Sequence, residues 1–334
     1  MLLSRVAESV YWAGRYLERA EATARLVKVH TELFLDLPAM AKVGWSPLLA
    51  VTGSREAFDE HYDGAVEEDV IRFLTADPAS PTSILSSLTS ARYNFRVTRN
   101  VLPASAWEQL NQLYLWVVQS RALAVDRRTR LACMDRVIRD CYLLRGLLAG
   151  TMSHDEAYWF LEIGSLVERA DMTTRVLDVQ AGVLMQDGSN ATASNGAVEA
   201  YSDLTWVSVL RSLSAQQMFR RAVRSGVNGA EALKFLLRDP QFPRSVEHCL
   251  TRISRALLEL PHYDDAMVGC AKVQQLLVDS DINALSAESL HQHMDDLQVG
   301  IGGLHAAITE TYFVRASDAA GVTVEAADGA LATA

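Results

Sequence analysis

The chain has 334 residues, 49% of them hydrophobic, and a formal net charge of -10. That length suits one large helical domain or two average ones with a substantial core. Arginines are scattered among acids rather than gathered in a basic stripe, so neither nucleic acid nor a membrane is the expected partner.

Apolar residues recur at three- and four-residue spacing, which predicts helices in chain order over 5–34, 54–62, 66–76, 82–102, 104–121, 127–150, 154–186, 199–224, 229–237, 244–260, 263–279 and 286–313. Ser54 and Ser286 stand as N-caps, and Pro81 and Pro243 suit a first helical turn. No hairpin or βαβ pattern occurs, so the expected fold class is all-α. "DGSNATASNGA" (187–197) reads as a turn-rich loop, and the stretch 316–334 as a disordered tail. The N-terminus lacks a cleavable apolar leader, and no apolar run reaches the roughly 18–20 residues of a membrane span. Cys133, Cys141, Cys249 and Cys270 show no metal spacing. A cytoplasmic protein with buried reduced thiols is the expectation.

One segment occurs twice. "GRYLERAEATAR" at 14–25 returns as "GSLVERADMTTR" at 164–175, an offset of 164 − 14 = 150. "FLTADPASPTS" from Phe73 returns as "FLLRDPQFPRS" from Phe235, an offset of 235 − 73 = 162. Trp45, Leu49 and Phe58 match Trp206, Leu210 and Phe219 at 161. The loop 187–197 has the length that accounts for the change in offset. The expected organisation is an internally duplicated helical bundle with pseudo-two-fold symmetry. Its halves are 1–152 and 153–315, followed by the tail 316–334.

At about 100° per residue, Glu18, Glu21 and Arg25 share one face of the first repeated helix, and Glu168, Asp171 and Arg175 share one face of the second. Exposed ion pairs contribute only about 0.2–0.5 kcal/mol and should drift between copies. These positions did not drift, whereas neighbours such as Arg15 and Ser165 did. A partly buried network between helices crossing at Gly14 and Gly164 follows, with Glu18, Arg19 and Arg25 locking Glu168, Arg169 and Arg175. If the seam also binds a ligand, Glu18 and Glu168 are the candidate catalytic residues. Arg19, Glu21, Arg25, Arg169, Asp171 and Arg175 are then the candidate substrate-binding residues. ExxE and ExxD carboxylates raise a dinuclear metal centre, but no ExxH accompanies them and adjacent arginines repel a cation. No metal or cofactor is therefore assigned. His291 and His293 do not share a helical face. No Walker loop, nucleophile elbow, dinucleotide loop or HExxH is present.

"LLSRVAESVYWAGRYLERAEATARLV", "EAYWFLEIGSLVERADMTTRVL" and "FLLRDPQFPRSVEHCL", in that order, resemble the bacterial alpha-E domain family over about residues 1–313. That family is an all-helical domain of unknown function named for its repeated Glu-Arg motif. Ser165 departs from it where an arginine often sits. The resemblance implies a partner, a circularly permuted ATP-grasp ligase-like protein, with transglutaminase-like peptidases as frequent neighbours. It therefore implies an accessory helical subunit of an amidoligase system that makes or modifies a peptide or amide-bonded small molecule. An acidic or peptide-like substrate would bind at the Glu-Arg seam. Two alternatives stay open: an all-helical carboxylate-based transferase or hydrolase, with or without a metal, and a purely structural assembly scaffold.

Overall fold

The computed structural model describes residues 2–36, 44–189, 205–224, 226–282 and 287–313. Among the described residues the structure is helical, without strands. The helices are α1 (Ser4–Asp36), α2 (Ser46–Val51), α3 (Arg55–Asp59), α4 (Glu67–Thr75), α5 (Ile84–Val97), α6 (Ala104–Gln119), α7 (Arg121–Val125), α8 (Arg127–Thr151), α9 (Glu156–Ser189), α10 (205–212), α11 (Gln216–Ala222), α12 (Gly229–Arg238), α13 (Val246–Leu257), α14 (Asp264–Asp279) and α15 (Ala287–Tyr312).

The two longest helices are central because both are apolar around most of their girth. Val10, Ala13, Ala20, Ala24 and Val27 of α1 are fully buried, as are Ile163, Val167, Ala170 and Leu177 of α9. α1 and α9 pack on each other. α1 also packs on α5 and α8, and α9 on α13 and α15. Two glycines permit the close contact. A Cβ on Gly14 would lie 2.2 Å from the Leu161 carbonyl oxygen, and one on Gly164 would lie 2.0 Å from that of Tyr11.

Several boundaries differ from expectation. α2 and α7 are short helices that periodicity alone does not resolve. The stretch expected as one helix over 199–224 breaks at Ser214, which adopts φ 51°. Gly53 adopts φ 61° at the matching turn between α2 and α3. α9 continues through Asp187–Ser189, where a loop was expected, since adding residues to a formed helix costs less than starting one. The rest of that loop, Ser286 and the tail lie outside the described residues. Ser54 precedes α3 without donating or accepting a cap bond to it. Pro81 and Pro243 precede the N-caps rather than entering the first turn.

The caps are Ser83 and Ser245, whose hydroxyls accept from Ser86 N and His248 N. Each hydroxyl also donates back to the carbonyl of Asp77 or Asp239. The Asp77 and Asp239 carboxylates accept from backbone N–H groups two or three residues ahead. The repeated DPxxPxS frame is thus a self-bonded turn that holds the residue before each cap serine in a set place. All four cysteines are free and buried. No helix of the described residues is long and apolar enough to cross a membrane.

Candidate functional site

The Glu-Arg pairs meet where α1 and α9 cross. Arg19 donates to Glu168, Nε to Oε1 at 2.5 Å and Nη2 to Oε2 at 3.0 Å. Reciprocally, Arg169 donates to Glu18 at 3.1 and 2.9 Å. Both are two-point guanidinium–carboxylate contacts, the strongest neutral-pH geometry for such a pair. Glu18 and Glu168 are essentially inaccessible to water.

Around Glu18 the lattice is closed. Arg145 of α8 and Arg244, from the turn before α13, also donate to it. Arg244 lies across two carboxylates, with Nη1 2.7 Å from Glu18 Oε1 and Nη2 2.8 Å from Glu21 Oε2. Arg25 completes this crossing by donating to Glu21 and, through Nε, to the Ser212 carbonyl. Four arginines thus enclose two carboxylates. Burial would raise the Glu18 carboxyl, but Arg145, Arg169 and Arg244 overcome it and hold the group well below the usual carboxylate range. Glu21 is lowered against the same burial penalty by Arg244 and Arg25.

Around Glu168 the lattice is more open. Arg15 supplies a second arginine, its Nε 2.8 Å from Oε2, and the pair Arg19 and Arg15 lowers Glu168 against burial. Among the described residues Asp171 receives only Arg175, Nε to Oδ2 at 2.8 Å. Burial therefore prevails and raises the Asp171 carboxyl. The Arg175 guanidinium lies over Gly53, where a Cβ would come 3.0 Å from Nη1. Beside this group is a cavity of about 200 Å³, lined by Arg19, Thr23, Thr82, Glu168, Asp171 and Arg175 among others. The buried hydroxyls of Thr23 and Thr82 have no hydrogen-bond partner among the described residues.

The structure therefore brings the expected residues together in part. The cross-pairs Glu18–Arg169 and Arg19–Glu168 lie in one lattice. Arg25 and Arg175 do not lock across the seam: each pairs with an acid on its own helix, because each sits a further turn from the crossing. Three lattice arginines, Arg15, Arg145 and Arg244, were not foreseen as lattice members. Arg15 is 9% exposed and part of the network, not a drifting outer position. Arg244 was legible in principle as the charged residue of PRS facing PTS in the two frames. Arg145 carries no such signal, since only packing of α8 on α1 delivers it.

Other groups look self-satisfied. A wider cleft, about 900 Å³, adjoins Glu67, Arg127 and Arg130, and there Glu67 is already held by both arginines. Asp178, His291 and Asp295 cluster where α9 meets α15. His291 turns Nδ1 to Asp178 and Nε2 to Asp295, consistent with a surface ion pair.

Fold and site together define an all-helical protein built on a buried Glu-Arg lattice with a polar cavity at one crossing. The chain belongs to the Alpha-E family, described as an alpha-helical domain with a conserved ER motif, which it matches over residues 2–313. The ER pairs are Glu18–Arg19 and Glu168–Arg169. It is 23% identical over 337 residues to an uncharacterised protein of Mycobacterium bovis, covering 92% of this chain and 36% of that protein. An uncharacterised Mycobacterium tuberculosis protein is 22% identical over the same shares. The chain thus spans about a third of the length of these relatives. No solved structure matches it.

Proposed function

We propose that the protein is a ligand-binding helical subunit of an ATP-grasp amidoligase system, which makes or modifies a peptide or amide-bonded small molecule. Its site is the cavity beside Glu168 and Asp171, and its ligand is peptide-like. The observation that carries this reading is that cavity, with two buried hydroxyls that lack a partner among the described residues beside a lattice whose charged groups are otherwise paired. Glu18 and Glu168 argue for binding rather than acid–base chemistry. Both are held ionised and wrapped by arginines, so neither is poised to exchange a proton near neutral pH. The ligase partner rests on the family resemblance. The length of the relatives fits a domain that works alongside others.

The two halves, 1–152 and 153–315, are on this reading copies of one unit. The matching left-handed turns at Gly53 and Ser214 support that, as do the paired DPxxPxS turns.

Co-purification with a circularly permuted ATP-grasp ligase from the same cells tests the reading, together with Arg175→Ala. Arg175 is partly exposed, so its loss is expected to leave the fold intact while abolishing amide formation by the complex. If no complex forms and Arg175→Ala changes nothing, the reading fails.

A further inference from the structure

Two crossed pairs join α1 and α9, a first crossing at Glu18–Arg169 and a second at Arg19–Glu168, and the first is filled by the chain itself. Arg244 and Thr82 occupy the same place in their turns, one residue before the cap serines Ser245 and Ser83. Arg244 spreads its fork over Glu18 and Glu21, two carboxylates three residues apart on α1. Glu168 and Asp171 have that spacing on α9, but Thr82 is too short to span them.

The acceptors that such a fork would use are open. Glu18 Oε1 accepts from both Arg169 and Arg244, whereas Glu168 Oε1 accepts from Arg19 alone among the described residues. Asp171 Oδ1 accepts from none of them. Thr173, the counterpart of Thr23, donates to the Arg244 carbonyl at 3.0 Å. Thr23 is wholly buried with its hydroxyl unpartnered, and so is the hydroxyl of Thr82. The cavity of about 200 Å³ accommodates one planar head group with a few waters.

We propose that this cavity binds a guanidinium group carried by the ligand, an arginine-like side chain or small guanidine, which bridges Glu168 and Asp171 as Arg244 bridges Glu18 and Glu21. The inference rests on the cavity being the ligand site and names the head group it takes. A guanidinium has five donors and no acceptor, which matches two open carboxylate oxygens and two hydroxyls. Its planar fork suits two carboxylates at once, as a point-charge ammonium does not. The arginines in the walls do not forbid it. The first crossing holds four arginines around two carboxylates, and the second holds three, so a fourth cation reproduces an arrangement the protein already folds around. An incoming carboxylate would instead face the open oxygens of Glu168 and Asp171.

The test is calorimetric titration of the full chain with agmatine, and separately with glutarate and inorganic phosphate, at low salt. Agmatine is expected to bind and to raise Tm. Thr82→Arg should supply the missing fork from within, abolishing agmatine binding with Tm unchanged or higher. Asp171→Asn should weaken agmatine at least about tenfold, and it carries the same readout if Thr82→Arg does not fold. Agmatine binding that survives both substitutions overturns the inference. So does binding of glutarate or phosphate with agmatine silent; if Thr82→Arg blocks those anions, the cavity remains the ligand site and only its head-group chemistry is wrong. If none of the three binds, this inference falls, while the ligase complex is judged separately by co-purification.

Discussion

The crossing around Glu18 and the crossing around Glu168 use the same motif and end differently. At the first, Arg244 closes the lattice and every buried carboxylate oxygen has a donor. At the second, Thr82 stands in its place, Asp171 has one arginine, and a cavity remains. A buried ion pair is tolerated only when its remaining acceptors are satisfied. A lattice satisfied from within needs no ligand to complete it, whereas one left short of a donor has acceptors that a ligand could fill.

The contrast is broken most severely at Glu18. Glu18→Ala leaves Arg145, Arg169 and Arg244 facing one another without their shared carboxylate. It is expected to cost about 3–5 kcal/mol, read as a collapse of the denaturation midpoint. Asp171→Ala, which strands only the partly exposed Arg175, should cost far less. Comparable losses for the two would mean the crossings are energetically alike.

The crossing itself is probed by Gly164→Ala. Its methyl would meet the Tyr11 carbonyl oxygen at 2.0 Å, so the helices must separate, at a cost of about 3 kcal/mol. A variant as stable as the parent would show that the helices can slide apart freely.

Arg244→Thr converts the first crossing into a likeness of the second. It should cost about 2–3 kcal/mol by leaving acceptors of Glu18 and Glu21 unpaired. Guanidinium at low millimolar concentration, far below its denaturing range, should restore part of the lost Tm. Absence of rescue would separate the two crossings chemically.

Acid sharpens the comparison further. Glu18, Glu21 and Glu168 all have folded-state values below the ordinary glutamate value of about 4.3. Their stabilisation is present above that value and is lost as pH falls through the lowered folded values. Asp171 is raised by burial, so its contribution has the opposite sign and is lost as pH rises through its folded value. Urea midpoints measured from pH 7 to pH 3 should fall steeply below about pH 4.3, and Glu18→Gln should flatten that fall. The smallest effect belongs to the exposed Arg55–Asp59 pair. Arg55→Ala should shift stability by less than about 0.5 kcal/mol, and a larger loss would undermine burial as the criterion separating seam from surface.

Much of this was readable in the chain. The 3.6-residue periodicity determined an all-helical fold, because a helix must bury one face and the apolar stripe records which. Repetition of Gly14 and Gly164, and of the ER pairs, pointed to two helices meeting at their charges. Buried charges must meet at a fixed spacing, so the recurring pattern marks positions that packing constrains. The DPxxPxS turns were equally local, since their bonds run between residues six or fewer apart. Tertiary structure alone decided which arginine reaches which carboxylate. Arg145 arrives from α8 and Arg244 from 226 residues away in sequence, and no local pattern encodes such distances. It alone also decided that Arg25 is buried while Arg175 is partly exposed, because a side chain's burial depends on what the rest of the chain places above it.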